Sequence, residues 1–466
     1  MNPGENTSGE NTNLSRRELG KRVGAIAAAS ALAGVAVPAV HAAGSSTIQV
    51  ALIGCGGRGT GAAGDALRAK GVQPKLVAMA DAFEDRLKTS YNGLSKESSL
   101  SSKIDVPPDR RFVGFEAYKQ AIDCLKPGDV AIFATPLAFR WVHFGYAIEK
   151  GVNVFMEKPL SSDGDMSRKL LKLAEKAQEK NLKVGVGLMS RHARPLEELH
   201  QRIQDGEIGD IVLMRGYRMH GPAGTFKSTP KPENMTDLEY QVRRFHSFLW
   251  AGGGCMSDFN IHIIDHLCWM KNAWPVKAMG VGARHFKTTD DGKPYVDQNF
   301  DAYGIEYTFE DGSKLQFDGR YQEGAAPQYY SFVHGSKGCA IASASGDCGA
   351  PSRTFKGQSP ERENQLWSSS DRTNPYQNEW NDLMAAIVND KPYNEVKRGV
   401  EASVTASMGR MAAHTGQEIT FEQMLNSEHE FAPDVDKLKE GSPAPLKADG
   451  KGMYPQPMPG RKKREY

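Results

Sequence analysis

The stretch TIQVALIGCGGRG, residues 47–59, decides the fold. A run of apolar and β-branched residues leads directly into Gly54-Cys55-Gly56-Gly57-Arg58-Gly59, so a buried strand runs straight into G-x-G-x-x-G. Each glycine has a task. Gly54 lets the chain turn at the strand end, Gly56 lets a pyrophosphate approach the backbone, and Gly59 lets the next helix pack close to the strand. Free N–H groups of Gly56, Gly57 and their neighbours, with the helix dipole, then face phosphate oxygens, and Arg58 adds positive charge. The context supports this reading. An Ala-rich helix is expected at Thr60–Lys70 and a second strand at Lys75–Ala80, ending on Asp81. That acid lies somewhat beyond the usual spacing of about 20 residues for the group that holds an adenine ribose. The alternative is a Gly-rich turn in an unrelated α/β domain, since the chain has 48 glycines.

Upstream, Ser15-Arg16-Arg17 precedes a small, apolar run from Val23 to Val37 and then Val40-His41-Ala42. That run is shorter than the roughly 20 residues of a membrane span and suits the apolar core of a secretory leader. The paired arginines resemble a twin-arginine export signal, which implies a leader over residues 1–42, passage through the twin-arginine machinery and a periplasmic location. Removing it leaves about 424 residues, enough for two domains. Charge is balanced, with 58 basic and 56 acidic residues, and the only basic run is Arg461–Arg464, so nucleic acid is not an expected partner. The six cysteines form no framework, although Cys339 and Cys348 have the option of pairing after export.

Downstream, strand and helix alternate: helix over Phe115–Cys124, strand over Asp129–Ala134 ending in Thr135-Pro136, helix over Phe139–Lys150, strand over Val152–Phe155, helix over Asp163–Lys180 and strand over Leu182–Gly187. This is an α/β pattern, a parallel sheet covered on both faces. Residues 92–112 read as a polar surface excursion. Beyond residue 190 the period changes. Ile208–Met219, Val276–Phe286, Ala302–Phe309, Lys314–Tyr321 and Gln328–His334 alternate, as antiparallel strands with one wet face do. Residues 342–374 read as a long loop, Gln377–Asn389 and Lys397–Thr415 as helices, and the segment from Glu428 as extended or loose. The expected domains are 47–190, binding a dinucleotide, and 191–427, with 428–466 as a tail.

Glu157-Lys158-Pro159 follows the strand Val152–Phe155, at the sheet edge where ligands bind in open α/β folds. The X-Pro bond is a candidate for the cis form. With the glycine loop, Asp81 and Thr135-Pro136, the run GVNVFMEKP resembles the glucose–fructose oxidoreductase / inositol dehydrogenase family, written Gfo/Idh/MocA, over roughly residues 47–427. The resemblance implies a Rossmann domain followed by an α/β domain with a large open, mainly antiparallel sheet. It implies nicotinamide-linked oxidation of a sugar or cyclitol hydroxyl, and self-association through that sheet. Gly54, Gly56, Gly57, Arg58, Gly59, Asp81, Thr135, Pro136, Glu157 and Lys158 are then the cofactor-binding candidates, with NAD favoured over NADP because Asp81 repels a 2′-phosphate.

Gly252-Gly253-Gly254 precedes CMSDFNIHIIDHLCWM, residues 255–270, read as one helix in which Asp258, His262 and Asp265, at i, i+4 and i+7, share one face. The family motif GGG-x-x-x-D-x-x-x-H falls here. It makes Lys158, Asp258 and His262 the catalytic candidates. His262 would act as general base, Asp258 would orient the sugar and hold the imidazolium, and Lys158 would polarise the hydroxyl oxygen. Two alternatives remain, a satisfied core histidine and a zinc site built from His262 and His266; no metal is expected. The segment His220–Trp250 is expected to cover the pocket, with Arg191, His192, Tyr240, Arg243 and His246 as candidates for the substrate. Export makes a tightly held cofactor attractive. The expectation is an oxidoreductase of sugar or cyclitol hydroxyls. A glycosidase working by transient oxidation, elimination and re-reduction is the alternative, and a non-catalytic sensor a third.

Overall fold

Two sheets organise the chain in the computed structural model, which describes residues 47–348 and 351–466. The expected leader lies outside the described residues. The first sheet contains β1 (Thr47–Ile53), β2 (Gln73–Asp81), β3 (Arg111–Val113), β4 (Val130–Phe133), β5 (Asn153–Met156) and β6 (Val184–Val186), in the order β3-β2-β1-β4-β5-β6. Every pairing is parallel. Strand order reverses between β1 and β4, and a crevice opens beyond the carboxyl ends of strands at such a point. The glycine loop after β1 and Thr135-Pro136 after β4 both lie there. Gly54 has φ 95°, and a Cβ on it would meet the Ala134 backbone at 2.6 Å, so two requirements at once demand glycine. The following helix, Gly57–Leu67, begins inside the glycine run rather than at Thr60.

The second sheet contains β7 (Ile211–His220), β8 (Lys277–Ala283), β9 (Ala302–Thr308), β10 (Lys314–Tyr321), β11 (Gln328–Gly335), β12 (Gly338–Ser343), β13 (Arg353–Lys356), β14 (Gln365–Ser368) and β15 (Ile419–Thr420). Their order is β14-β13-β12-β11-β7-β10-β9-β8-β15. All pairs are antiparallel except β7 with β10. On β10, Leu315, Phe317 and Tyr321 are fully buried, while Lys314, Gln316, Asp318 and Arg320 are only half-buried. The helix Val396–Thr415 is buried on nearly every side, its small, apolar and hydrogen-bonded polar residues alike. It packs on β8 and on the helix Gly164–Glu179, joining the two sheets. Among the described residues, no helix is long and apolar enough to cross a membrane.

Five expectations need correction. Residues 92–112 are not only an excursion, because they carry β3, which pairs with Met79–Asp81. Residues 342–374 hold β13 and β14 at one side of the second sheet, four residues each and too short to show a clear alternation. The helix Pro375–Val388 belongs to the first sheet's packing: Trp380, Leu383, Met384 and Ile387 share a core with Ile48, Val50 and Leu52. The division at residue 190 is therefore crossed by later chain. Segment 428–466 is not loose; Phe431, Val435, Leu446, Tyr454 and Glu465 are buried. Their apolar anchors are too widely spaced to show a period. Finally, residues 255–270 are not one helix. They form Gly254–Asp258 and Ile261–Lys271, broken at Phe259-Asn260, where the buried Asn260 amide bonds Tyr321 and Met256 Sδ. None of the six cysteines is joined in a disulfide, Cys339 and Cys348 included.

Candidate functional site

A cavity of about 500 Å³ opens at the switch point, lined by Gly54–Gly59, Asp81, Arg86, Thr135, Pro136, His143, Arg243 and His246 among others. A second cavity of about 240 Å³ shares Arg58, Thr135 and His246 with it and adds Glu157, Lys158, Asp258 and Phe259. The ten cofactor-binding candidates thus border two adjoining cavities that share a wall. A Cβ on Gly56 would meet only Arg86 Nη1, at 3.8 Å, and one on Gly57 would meet nothing within 4 Å, so the loop's backbone is open to the cavity. Asp81 accepts from Cys55 N at 2.6 Å and from Phe83 N at 2.9 Å, which fixes its carboxylate at the larger cavity's edge. Burial raises its pKa, with those amides opposing. The fit is that of a dinucleotide: open backbone for a pyrophosphate, with an acid placed for a ribose.

At the inner end, the Lys158-Pro159 bond is cis. Lys158 Nζ donates to Asp258 O at 2.6 Å and stands 3.4 Å from Asp258 Oδ1. The other carboxylate oxygen, Oδ2, lies 3.3 Å from His246 Nε2. The amide of Thr225 donates to His246 Nδ1 at 3.2 Å, so Nδ1 accepts and Nε2 carries the proton toward Asp258. Burial pushes the Asp258 carboxyl up, but Lys158 and His246 outweigh it and hold it at about 2. His262 lies on the next helix, 5% exposed, with Nδ1 lacking a hydrogen-bond partner. Burial, then the charges of Lys158 and Arg218, hold its pKa well below the usual value, so it is a neutral imidazole. The expectation that Asp258 braces His262 is corrected: the Asp258 carboxylate faces Lys158 and His246 instead.

Behind the cavities lie charged and aromatic residues not among the candidates from sequence, Tyr376, Glu379 and Arg218, around the expected Arg58. Arg58 Nε is 2.9 Å from Glu157 Oε1, in ionic contact though not aligned for a hydrogen bond, and its guanidinium lies 4.6 Å above the Tyr376 ring. Glu379, on the helix Pro375–Val388, is buried with neither carboxylate oxygen hydrogen-bonded. Burial first, and the Glu157 charge second, raise its pKa well above the usual range, so it is the protonated member of this cluster. Arg218 on β7 is covered by Tyr329 and Phe259 and pairs with Asp347 at 3.2 Å. The alternation of β7 gives a signal for it, since Arg218 follows the inward-facing Met214 and Gly216 at intervals of two.

The structure does not bring all five substrate candidates to these cavities. Arg191 forms a bidentate pair with Asp265, at 2.9 and 2.7 Å, because that fully buried carboxylate needs a counter-ion. His192 is clamped between Asp382, at 2.7 Å, and Glu395, at 3.2 Å. Tyr240 is buried and donates to Thr229 O. Arg243 does line the larger cavity, but at the Asp81 end, where it pairs with Asp85 at 3.0 Å and covers Phe83. Only His246 reaches Lys158 and Asp258. The zinc alternative finds no third ligand beside the two histidines among the described residues, since Asp265 is taken up by Arg191, and His266 Nε2 bonds Ser331. His192, Glu197 and Asp382 have the composition of a metal site, but Arg194 bonds both carboxylates, at 2.6 and 2.8 Å.

Comparison with known proteins agrees with this architecture. An inositol 2-dehydrogenase of Corynebacterium glutamicum is 24% identical over 142 residues, 30% of this chain and 40% of that protein. The chain thus spans less than half the length of the curated relatives that it matches. Three solved structures are similar in fold. Aldose-aldose oxidoreductase from Caulobacter crescentus, complexed with glycerol, has a TM-score of 0.60 and 16% identity, covering 80% of this chain and 99% of that one. Myo-inositol 2-dehydrogenase from Lactobacillus plantarum has 0.57 and 21%, with the same coverage. Levoglucosan dehydrogenase, solved with NADH and levoglucosan, has 0.60 and 16%, again covering 80% and 99%. Residues 196–341 match the GFO/IDH/MocA C-terminal domain.

Proposed function

We propose that the protein is a nicotinamide-dependent oxidoreductase acting on a secondary hydroxyl of a sugar, sugar derivative or cyclitol, with NAD preferred to NADP. The observation that carries this reading is the pair of adjoining cavities, one along Asp81 and the open glycine loop, the next at Lys158 and Asp258, with Arg58, Thr135 and His246 in both linings. The dehydrogenases of similar fold and the matched C-terminal domain support it. A bound nicotinamide supplies the hydride acceptor. The protein's own share is orientation and proton handling. Lys158 offers an ammonium to the hydroxyl oxygen, where negative charge develops. Asp258, kept ionised, anchors Lys158 and His246 and presents an acceptor to the sugar. Neutral His262, whose pKa burial and the charges of Lys158 and Arg218 hold low, is the proton acceptor. Phe259 and Phe245 supply apolar faces for the sugar ring's C–H surface.

Asp81 underlies the preference for NAD, as an anion at the ribose edge, although Arg86 shares that wall. Export by the twin-arginine route, with the cofactor already bound, is the reading of residues 1–42. One experiment addresses these points together: native mass spectrometry of protein recovered from the periplasm, followed by incubation with polyols and glycosides. The expected result is a mass lacking residues 1–42, a bound NAD(H), and net NADH from a polyol. Hydrolysis of a glycoside without net NADH would move the assignment to the oxidation–elimination glycosidase. No copurified or titratable nucleotide would overturn both.

A further inference from the structure

Arg410 is fully buried in the helix Val396–Thr415, outside both cavities, and its guanidinium ties together three parts of the chain. Nη2 donates to Ser162 O at 2.7 Å, four residues beyond Lys158. Nη1 donates to Gly253 O at 3.0 Å and to Ser257 Oγ at 2.8 Å, the turn and the residue just before Asp258. Nε and Nη2 donate to the two carboxylate oxygens of Glu465, at 2.8 and 2.9 Å. One cation therefore spans the two segments that carry Lys158 and Asp258, and its counter-ion comes from a third, the end of the chain. Glu465 is itself 3% exposed and also bonds His414 Nδ1 at 2.8 Å. His414 is in turn held by Tyr303. The neighbouring Tyr466 ring stacks on Phe431, whose amide donates to Asp163 Oδ2 at 3.1 Å, beside Ser162.

A buried guanidinium keeps a fixed orientation only while its charge is met and its donors are filled. A bidentate carboxylate meets both needs and turns the remaining N–H groups toward Ser162 O and Gly253 O. Without it, Arg410 has reason to move toward water, and both carbonyls lose a donor. We propose that Glu465 is a positioning residue of the site: through Arg410 it sets the spacing between the Lys158 and Asp258 segments. This rests on the reading above that Lys158 and Asp258 form the working end of the two cavities.

The test uses the full chain labelled with ε-13C-lysine, the Lys158 signal being assigned by its loss in Lys158→Arg. In the native protein that signal is displaced from those of exposed lysines, since Lys158 is held against Asp258 and near Phe259. Glu465→Gln is expected to lower the melting temperature and to move the Lys158 signal toward the exposed envelope. In the double variant Arg410→Gln/Glu465→Gln no buried charge is left unmet, so melting recovers, yet the signal stays moved because the bridge is gone. A Lys158 signal unchanged in both variants would overturn the proposal and leave Glu465 a stabilising residue only. If Glu465→Gln does not fold, the double variant alone decides. NADH titration of the native protein is read separately: failure to bind would refute the functional reading without touching the Lys158 result.

Discussion

Gly56→Ala separates what the fold needs from what a bound nucleotide needs. In the structure a methyl on Gly56 has room, its nearest neighbour being the tip of Arg86 at 3.8 Å. The backbone there has φ −71° and ψ −179°, which alanine adopts freely. Alanine is a poorer N-cap than glycine by up to about 1 kcal/mol, while the stiffer unfolded chain returns about 0.4–1 kcal/mol. These oppose each other, so stability is expected to change by less than about 1 kcal/mol. A pyrophosphate lying on this backbone would meet the methyl. Overpacking costs about 1–3 kcal/mol, which is a loss of about 5- to 150-fold in affinity. Gly59→Ala is the contrast. Its methyl would fall onto the Gly54 carbonyl oxygen and lie 3.0 Å from Ala134 Cβ, so the helix Gly57–Leu67 must leave β1 and stability falls with or without nucleotide. The assay is NADH fluorescence titration with thermal melting on the same samples. Native affinity in a well-folded Gly56→Ala protein would refute the placement of the pyrophosphate on this loop.

His262→Ala is expected to leave NADH binding intact and to lower polyol oxidation by about 10²–10⁴-fold; near-normal turnover per folded molecule, with a lower melting temperature, would make His262 a core residue. Glu379→Gln should change the pH dependence of stability. The folded-state pKa of Glu379 is raised, so its stabilising share is whole below the ordinary glutamate range and is lost as pH rises toward the folded value. Wild type and variant should therefore melt alike at acid pH, with the variant gaining as pH rises; melting curves that stay parallel from acid to alkaline pH would show that Glu379 does not titrate in this way.

The parts of the site that follow from local backbone rules were legible. A strand, a glycine turn and a helix are adjacent in sequence, so Gly54–Gly59 and their open face could be placed without knowing the rest of the molecule. Lys158 was legible because its strand ends at the same sheet edge. Long-range partners were not. Arg191 and His192 look free in sequence, and only the folded chain brings Asp265, Asp382 and Glu395 against them. Sequence distance hid Glu379 and Tyr376 as well, although the helix carrying them covers the glycine-loop helix, with Gln377 donating to Asp65 O at 3.1 Å.

The break at Phe259-Asn260 is the most instructive departure. Spacing on an ideal helix puts Asp258 and His262 one turn apart on a common face, and an acid–imidazole pair is the natural inference. Asn260 is buried, however, and a buried amide must fill its hydrogen bonds. It does so with Tyr321 on β10 and Met256, and the chain divides there into two short helices. The consequence is chemical. Asp258 becomes the shared partner of a lysine and a histidine from two other segments, and His262 is left neutral with a free Nδ1. An acid paired directly with His262 would raise its basicity and hold a proton before substrate arrives. The observed arrangement keeps the imidazole unprotonated and places positive charge from Lys158 nearby, which favours an oxyanion over a hydroxyl at that spot.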